Sequence, residues 1–438
     1  MTSVMLLAKE ENRWYPLKDH PVQIALVNAV HNGIRFPVVP AGRRSGKTER
    51  FKRFVVKEAM RNPGESYFAG APTRDQAKRI FWNDLKTLSF SQHFPKKPSE
   101  TELKIFFPND TTISVLGLDE PARIEGSPWT GGGIDEFGNI KEGAWEENIM
   151  PALDTTDPRR PDYRAWCWLF GVPEGMNHYH DRCDYALTAN DPLWGLFHWK
   201  SSEILPPDVI DAAKRVLSPR QFRQEYEASF ETADGKIYED YSTANHTQEL
   251  IKPHERLMWH HDFNYTPLSS GIAVERNNKI FILDEIILTS AIARQSALEF
   301  VERYKTHQNK TVIIYGDPAG RAGEKHGHAS DYTEIESVLR SSGWSFQRRV
   351  KPAAPAIKDR QNAVRAKIFN AAGSVSLFVN PAKAPYAHKG LATVQFKKGS
   401  TFLEEDSQYQ HITTAIGYMV DYEYPVIHVA NQSRTYGT

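Results

Sequence analysis

Apolar and polar positions along the first half of the chain predict strands and helices in turn. Phe36-Pro37-Val38-Val39-Pro40 is a short apolar run ending in a glycine-bearing turn, and Phe51, Phe54, Val55 and Ala59 recur at helical spacing through residues 48–60. Further strands are expected at Ser66–Ala71, 104–107, 112–116 and 165–171, with a helix over 75–88. Such alternation predicts an α/β domain built on a sheet. Residues 206–227 read as two short helices, and the turn-rich Thr232-Ala233-Asp234-Gly235-Lys236 marks a domain boundary. The second half opens with strands at 257–263, 271–275 and 279–285, the last two joined as a hairpin through Arg276-Asn277-Asn278. A helix over 291–306 and a strand over 311–315 follow.

A length of 438 residues favours two or three domains, each able to bury a core. Cys167 and Cys183 are the only cysteines, which excludes a disulfide framework and structural-zinc spacing and points to a reducing cytoplasm. The first fifteen residues have no basic start and only a five-residue apolar run, and no stretch approaches a membrane span, so a soluble, unexported protein is expected. Lys and Arg (54) balance Asp and Glu (54), but the distribution is uneven. Between Arg340 and Lys398 twelve basic residues face the single acid Asp359, a net +11, with Trp344, Phe346, Phe369, Phe378, Tyr386 and Phe396 interleaved. That composition suits a phosphate backbone; the alternative is a solvated basic face.

The sharpest local signal is Ala41-Gly42-Arg43-Arg44-Ser45-Gly46-Lys47-Thr48, between an apolar strand and a helix. Phosphate binding needs inward backbone N–H groups at a helix N-terminus, a lysine for the β- and γ-oxygens and a hydroxyl for Mg²⁺, and Gly46, Lys47 and Thr48 supply them. The pattern is a deviant Walker A, with Ala41 where glycine is usual and Gly42 one place late; the alternative is a helix capped by a glycine turn. Gly131-Gly132-Gly133-Ile134-Asp135-Glu136 is a candidate Walker B, in which Asp135 serves Mg²⁺ and Glu136 orients the attacking water. Three glycines make a poor strand unless it is fully buried and closely packed. In the second half Asp262 and Asp317 end apolar runs; two carboxylates on neighbouring strand ends would repel unless divalent cations lay between them, and such a clamp cleaves phosphodiesters. Each could instead cap a turn.

A deviant P-loop ATPase followed by a metal-dependent nuclease resembles the large terminase subunit of tailed bacteriophages, over nearly the whole chain. The resemblance implies an α/β chain with a P-loop NTPase domain at 1–230 (a lid at about 175–230), a linker at 231–255 and an RNase H-like nuclease domain at 256–438. His20-Pro21-Val22-Gln23 looks like the family's Gln motif, implying that Gln23 contacts adenine. Within the Walker A, Arg43 matches the family's phosphate-contacting arginine, and with Arg44, Ser45, Gly46, Lys47 and Thr48 it would cradle ATP and Mg²⁺. Arg123, in Arg123-Ile124-Glu125-Gly126, becomes a candidate arginine finger or else a surface residue. The coupling segment Trp168–His178 has Gly171 and Val172 where the family carries a Ser/Thr hydroxyl.

In the nuclease half, Asp262-Phe263-Asn264-Tyr265 and Gly316-Asp317-Pro318-Ala319 resemble the first two acids of the terminase centre, which takes Mg²⁺ or Mn²⁺. In Ser330-Asp331-Tyr332 the acid is expected to cap a helix over 332–339. The late helix reads His411-Ile412-Thr413-Thr414-Ala415-Ile416-Gly417-Tyr418, with Thr414 at the family's third acid, so Asp406 or another nearby acid substitutes or the centre is impaired; His411 would face the same site or pack as a helix residue. The resemblance further implies double-stranded DNA as substrate, a small terminase subunit and the procapsid portal protein as partners, a homo-oligomeric ring, no membrane partner, and residence in the infected host's cytoplasm. The alternatives are a helicase-like translocase without cutting activity and a DNA-binding packaging protein with a decayed centre.

Overall fold

The computed structural model describes residues 14–154, 163–175, 177–231, 235–263, 266–322, 329–398 and 400–426. Most of the N-terminal stretch, Thr232-Ala233-Asp234, Met176 and the Asn264-Tyr265 pair lie outside the described residues. The chain divides into two compact units, residues 1–210 with 223–231 and residues 211–222 with 232–438.

The first unit is built on seven strands: β1 (Phe36–Pro40), β2 (Ser66–Ala71), β3 (Lys104–Phe106), β4 (Thr112–Gly117), β5 (Gly131–Ile134), β6 (Trp166–Gly171) and β7 (Trp194–Leu196). They lie in the order β3-β4-β2-β5-β6-β1-β7, all parallel except the antiparallel edge pair β3/β4. β1, β5 and β6 are buried along their whole length, as expected of parallel strands covered on both faces. The three glycines of β5 have a steric cause. A Cβ on Gly131 would lie 2.2 Å from the Trp166 ring, on Gly132 2.2 Å from Phe68 and on Gly133 2.4 Å from Phe51, so aromatic side chains fill the space that β5 leaves. The helix expected over 75–88 is interrupted: Arg74–Ala77 and Asn83–Ser89 flank a π-helical turn at Lys78–Trp82 that turns Phe81 and Trp82 into the core.

The second unit carries β8 (Leu257–Asp262), β9 (Leu268–Arg276), β10 (Lys279–Leu288), β11 (Thr311–Gly316), β12 (Ser345–Arg348) and β13 (Leu377–Val379), in the order β12-β11-β8-β9-β10-β13. β8, β9 and β10 form an antiparallel meander, and β11 and β12 continue the sheet parallel to β8, the topology expected of an RNase H-like domain. Asn277 (φ 51°) and Asn278 (φ 60°) form the hairpin turn, with the two left-handed residues that a type I′ turn requires. The helices Ile357–Ile368 and Gln410–Glu423 pack against this sheet with Ile412, Ala415, Ile416 and Met419 in the core. The stretch at 235–255, expected as part of a linker, contributes Ile237 and Tyr238 to that core, and Asn245 donates to the carbonyls of Ile368 and Leu377 at 3.0 Å each. The helix Asp331–Ser341 is capped by Ser330 and not by Asp331: the Ser330 hydroxyl accepts from the Thr333 amide, and Asp331 stands at the first helical position.

Candidate functional site

In the first unit the Walker A turn leaves the end of β1 and enters the helix Lys47–Arg61 through Gly46, whose φ of 86° suits glycine. Gly42 passes so close to its neighbours that a Cβ would lie 2.3 Å from the Ser201 hydroxyl and 2.7 Å from the Tyr226 carbonyl. The loop is held from outside by groups that bond its backbone: Ser201 donates to the Arg43 carbonyl (2.7 Å), and Gln23 (2.9 Å) and Trp199 (3.1 Å) both donate to the Ser45 carbonyl. The Arg43 amide donates to the Glu225 carbonyl, and the Arg43 guanidinium forms an ion pair with the Glu225 carboxylate. With those carbonyls engaged, the Ser45 hydroxyl is fully buried and has no hydrogen-bond partner among the described residues, an orphan that a phosphate oxygen fits.

β6 lies between β1 and β5, so the Walker A and Walker B turns emerge two strands apart at one end of the sheet. Thr48 Oγ1 donates to Asp135 Oδ2 at 2.8 Å, the juxtaposition that a shared Mg²⁺ needs, and Lys47 is 7% exposed beside them. Burial raises the Asp135 pKa, and burial together with Asp135 pushes Glu136 up to about 7, against the opposing charges of Lys47 and Arg43. Glu136 adopts φ 52°, a left-handed conformation costly for a residue with a Cβ. Gly171 ends β6 directly beneath, where a Cβ would lie 3.3 Å from Glu136 Cα; the missing hydroxyl of the coupling segment thus coincides with a close backbone approach. Gln23 is 2% exposed, with its carbonyl accepting from Arg50 and its amide bracing the P-loop. Arg44 adopts φ 58° within the turn. Arg123 stands apart from this cluster, half-exposed on the short turn Pro121–Ile124 and paired with Glu120 at 2.7 Å.

In the second unit the register of β8 and β11 pairs His261 with Gly316, so Asp262 and Asp317 follow side by side on adjacent parallel strands. A Cβ on Gly316 would lie 2.9 Å from the His261 carbonyl, which is why the residue before the second acid is glycine. Asp262 Oδ2 meets His411 Nδ1 at 3.0 Å, and that hydrogen bond raises the His411 pKa. Asp317 also does the capping work: its Oδ1 accepts from the Ala319 amide at 2.8 Å. Two turns along the helix from His411, Tyr418 lies within electrostatic reach of both Asp317 and Asp262. Thr414 sits half-buried between them on the helix. Among the described residues no three His, Cys, Asp or Glu side chains converge as a metal-binding group. The two adjacent strand-end carboxylates fit a divalent ion, and the nearby acids are Asp406, which is exposed, and Glu404, whose Oε2 is shielded and without a partner; both act on His411.

Sequence reasoning did not single out Ser201, Trp199, Glu225 or Glu404, which reach their sites only through chain reversals of many residues. The basic segment is in part neutralised by acids from outside it. Arg348 pairs with Glu336 (2.7 Å), Arg349 with Glu423 (2.6 Å) and Lys351 with Asp421, while Arg365, Trp344 and Phe396 are buried.

Comparison with solved structures places this arrangement. The large terminase of a thermophilic bacteriophage superposes with a TM-score of 0.60 over 92% of this chain and 98% of that one, at 16% sequence identity. The fold is that of a phage large terminase. The ADP complex of the same thermophilic phage terminase matches similarly, with a TM-score of 0.57, 14% identity and coverage of 92% and 99%. In sequence, the large terminase subunit of Thermus phage G20c is 22% identical over 272 residues, 55% of this chain and 53% of that protein. That of Escherichia phage T5 is 23% identical over 235 residues, 52% and 51%. The chain thus spans about half the length of the curated relatives it matches. No family model matches it. No helix among the described residues is long and apolar enough to cross a membrane.

Proposed function

We propose that this protein is an ATP-driven DNA-packaging motor subunit that translocates double-stranded DNA and cuts it with a divalent-metal-dependent endonuclease. The observation that supports it best is the presence in one chain of the Thr48–Asp135 contact beneath a P-loop and of the Asp262/Asp317 pair on adjacent strands. In the ATPase site Lys47 would bind the β- and γ-phosphates, Ser45 and Gly46 would line the cradle, and Thr48 and Asp135 would hold Mg²⁺, which supplies charge neutralisation at the phosphates. Glu136 would orient the attacking water in its ionised form, and Arg43 would face the developing charge after leaving Glu225. Gln23 would sit at the adenine edge while bracing Ser45. Arg123, exposed beside Glu120, would serve a neighbouring subunit of a ring.

In the nuclease domain Asp262 and Asp317 would hold Mg²⁺ or Mn²⁺, which supplies a nucleophilic water, with His411 orienting Asp262 and Asp406 near the entrance. A small terminase subunit, the portal of the procapsid and the host cytoplasm complete the proposal. The domain division that goes with it is an ATPase at 1–230 and a nuclease at 256–438. A second reading, a packaging protein whose cutting centre is impaired, is favoured by Thr414 and by the lack of a converging third acid among the described residues. Supercoiled plasmid incubated with Mn²⁺ and the full chain, beside Asp262→Ala, separates them. Loss of supercoiled DNA with the parent alone supports the nuclease; intact plasmid with both, alongside DNA-stimulated ATP hydrolysis, leaves a translocase.

A further inference from the structure

The arginines and lysines of the basic segment are not equivalent. Arg348, Arg349 and Lys351 each spend their charge on a carboxylate, as the ion pairs with Glu336, Glu423 and Asp421 show. Arg365 is buried and donates to the Ile237 carbonyl and to Asn362. Arg360, on the helix Ile357–Ile368, differs from the three ion-paired residues in having no carboxylate within ion-pair distance among the described residues; it shares with Arg365 a shielded nitrogen without a hydrogen-bond partner, here Nε, but unlike Arg365 it is only partly covered. Its guanidinium lies 4.3 Å over the ring of Tyr418, the residue that faces Asp317 and Asp262. Gly417 makes that approach possible, since a Cβ there would already stand 3.3 Å from the Arg360 Cβ. The side chain as a whole is only partly covered, so a ligand can reach it.

A guanidinium held against an aromatic face has lost part of its rotamer freedom before anything binds. Nε is shielded, so the donors a ligand can reach are the Nη groups, which are not among the shielded atoms. Beside a pair of carboxylates the group that suits such donors is an anion brought in together with the divalent ion. Resting on the nuclease reading above, we propose that Arg360 is a catalytic residue of the cutting centre, donating hydrogen bonds to a non-bridging oxygen of the scissile phosphodiester. Water adds to phosphorus and releases a proton to solvent, while the bond to the leaving sugar oxygen breaks and that oxygen takes up a proton from solvent. The equatorial oxygens gain charge in that step, so the contact is stronger in the transition state than in bound DNA.

The test uses the full chain with supercoiled plasmid and Mn²⁺, comparing the parent with Arg360→Ala and Arg360→Lys, and measures Mn²⁺ affinity separately by electron paramagnetic resonance without DNA. Arg360→Ala should lower kcat for cutting roughly 100-fold, the loss typical of one oxyanion donor, with Mn²⁺ affinity and ATP turnover unchanged. Millimolar guanidinium should restore part of the cutting by Arg360→Ala, and Arg360→Lys should recover little, because an ammonium lacks the planar fork. Cutting by Arg360→Ala at the parent's rate would overturn the proposal. So would a fall in Mn²⁺ affinity matching the loss of cutting, which would mean that Arg360 acts by holding Tyr418 and Asp317. A parent that cuts nothing while binding Mn²⁺ would refute the nuclease reading and this assignment with it, an outcome distinguishable from failure of Arg360 alone.

Discussion

Replacing Gly133 by alanine tests the packing that places the Walker B acids. The new Cβ would lie 2.4 Å from Phe51 Cε2, 2.7 Å from Cζ and 2.9 Å from Cδ2, where carbon atoms in contact prefer about 3.5–4.0 Å, so ring or strand must shift by roughly 1 Å. Phe51 has nowhere to go: it is fully buried, with Trp168, Phe170 and Phe81 at centroid distances of 5.6, 5.1 and 6.0 Å. Overpacking of this kind costs about 1–3 kcal/mol, or roughly 2–4 °C in melting temperature per kcal/mol for a unit of this size. Phe51 lies one helical turn beyond Thr48, so the strain also reaches the proposed Mg²⁺ ligands and ATP affinity should fall. Calorimetry of the full chain measures the first effect, the relevant transition being the one that moves up when an ATP analogue is added; fluorescent-nucleotide titration measures the second. Phe51→Leu removes the two closest ring carbons, so the double variant should be less destabilised than the sum of the single ones, with a coupling of at least about 0.5 kcal/mol. A Gly133→Ala protein that melts and binds nucleotide like the parent would refute the claim that aromatic packing dictates glycine in β5.

Other outcomes follow from the same geometry. In the proposed role Glu136 must be ionised to orient water, and burial beside Asp135 pushes its pKa up to about 7, so kcat/KM for ATP should fall about tenfold per unit below pH 7 and flatten above it; Glu136→Gln should bind ATP yet hydrolyse it at least 100-fold more slowly. Gly42→Ala should weaken nucleotide binding by displacing Ser201 or Tyr226, checked by the same titration; unchanged affinity would contradict the close passage. Asp262→Asn should abolish Mn²⁺-dependent cutting with ATP turnover intact. Burial holds the His260 pKa down at about 3 against an ordinary 6.5. The unfolded chain therefore takes up a proton that the folded one refuses. The resulting stability is complete above pH 6.5 and is lost as pH falls toward 3, at up to about 1.4 kcal/mol per unit. His261, buried beside it and likewise pushed down, adds a slope of the same sign, so His260→Gln should reduce the slope without abolishing it in urea melts at pH 7, 6 and 5, and an unaltered slope would show that the ring is not held neutral.

Local patterns in the chain were enough for much of the architecture. Apolar runs bounded by turn residues located β1, β2, β8 and β11, and helical spacing located the P-loop helix, because a buried parallel strand and an amphipathic helix write their periods directly into side-chain order. The edge strands β7, β12 and β13 escaped, being three or four residues long with few apolar positions to set a period. The π-turn at Lys78–Trp82 escaped because no local preference encodes it. The capping of the Asp331–Ser341 helix turned on which of two adjacent good cap residues took the position, and only the backbone settles that.

For the two sites the division is similar. The residues proposed for phosphate and metal chemistry, Lys47, Thr48, Asp135, Glu136, Asp262 and Asp317, were legible because they stand in short contiguous motifs, the first two opening a helix and the others ending or following strands. What lies around them was not. Ser201 and Glu225 brace a loop more than 150 residues earlier in the chain, and Arg360 meets the nuclease acids through Tyr418. The basic segment looked uniformly available until Glu336, Asp421 and Glu423 were found against it. Sequence by itself determined which groups could do chemistry and on which kind of element each would stand. Only the tertiary structure decided which charges remain unspent, because pairing, burial and close approach depend on strand register and helix packing between residues far apart in the chain.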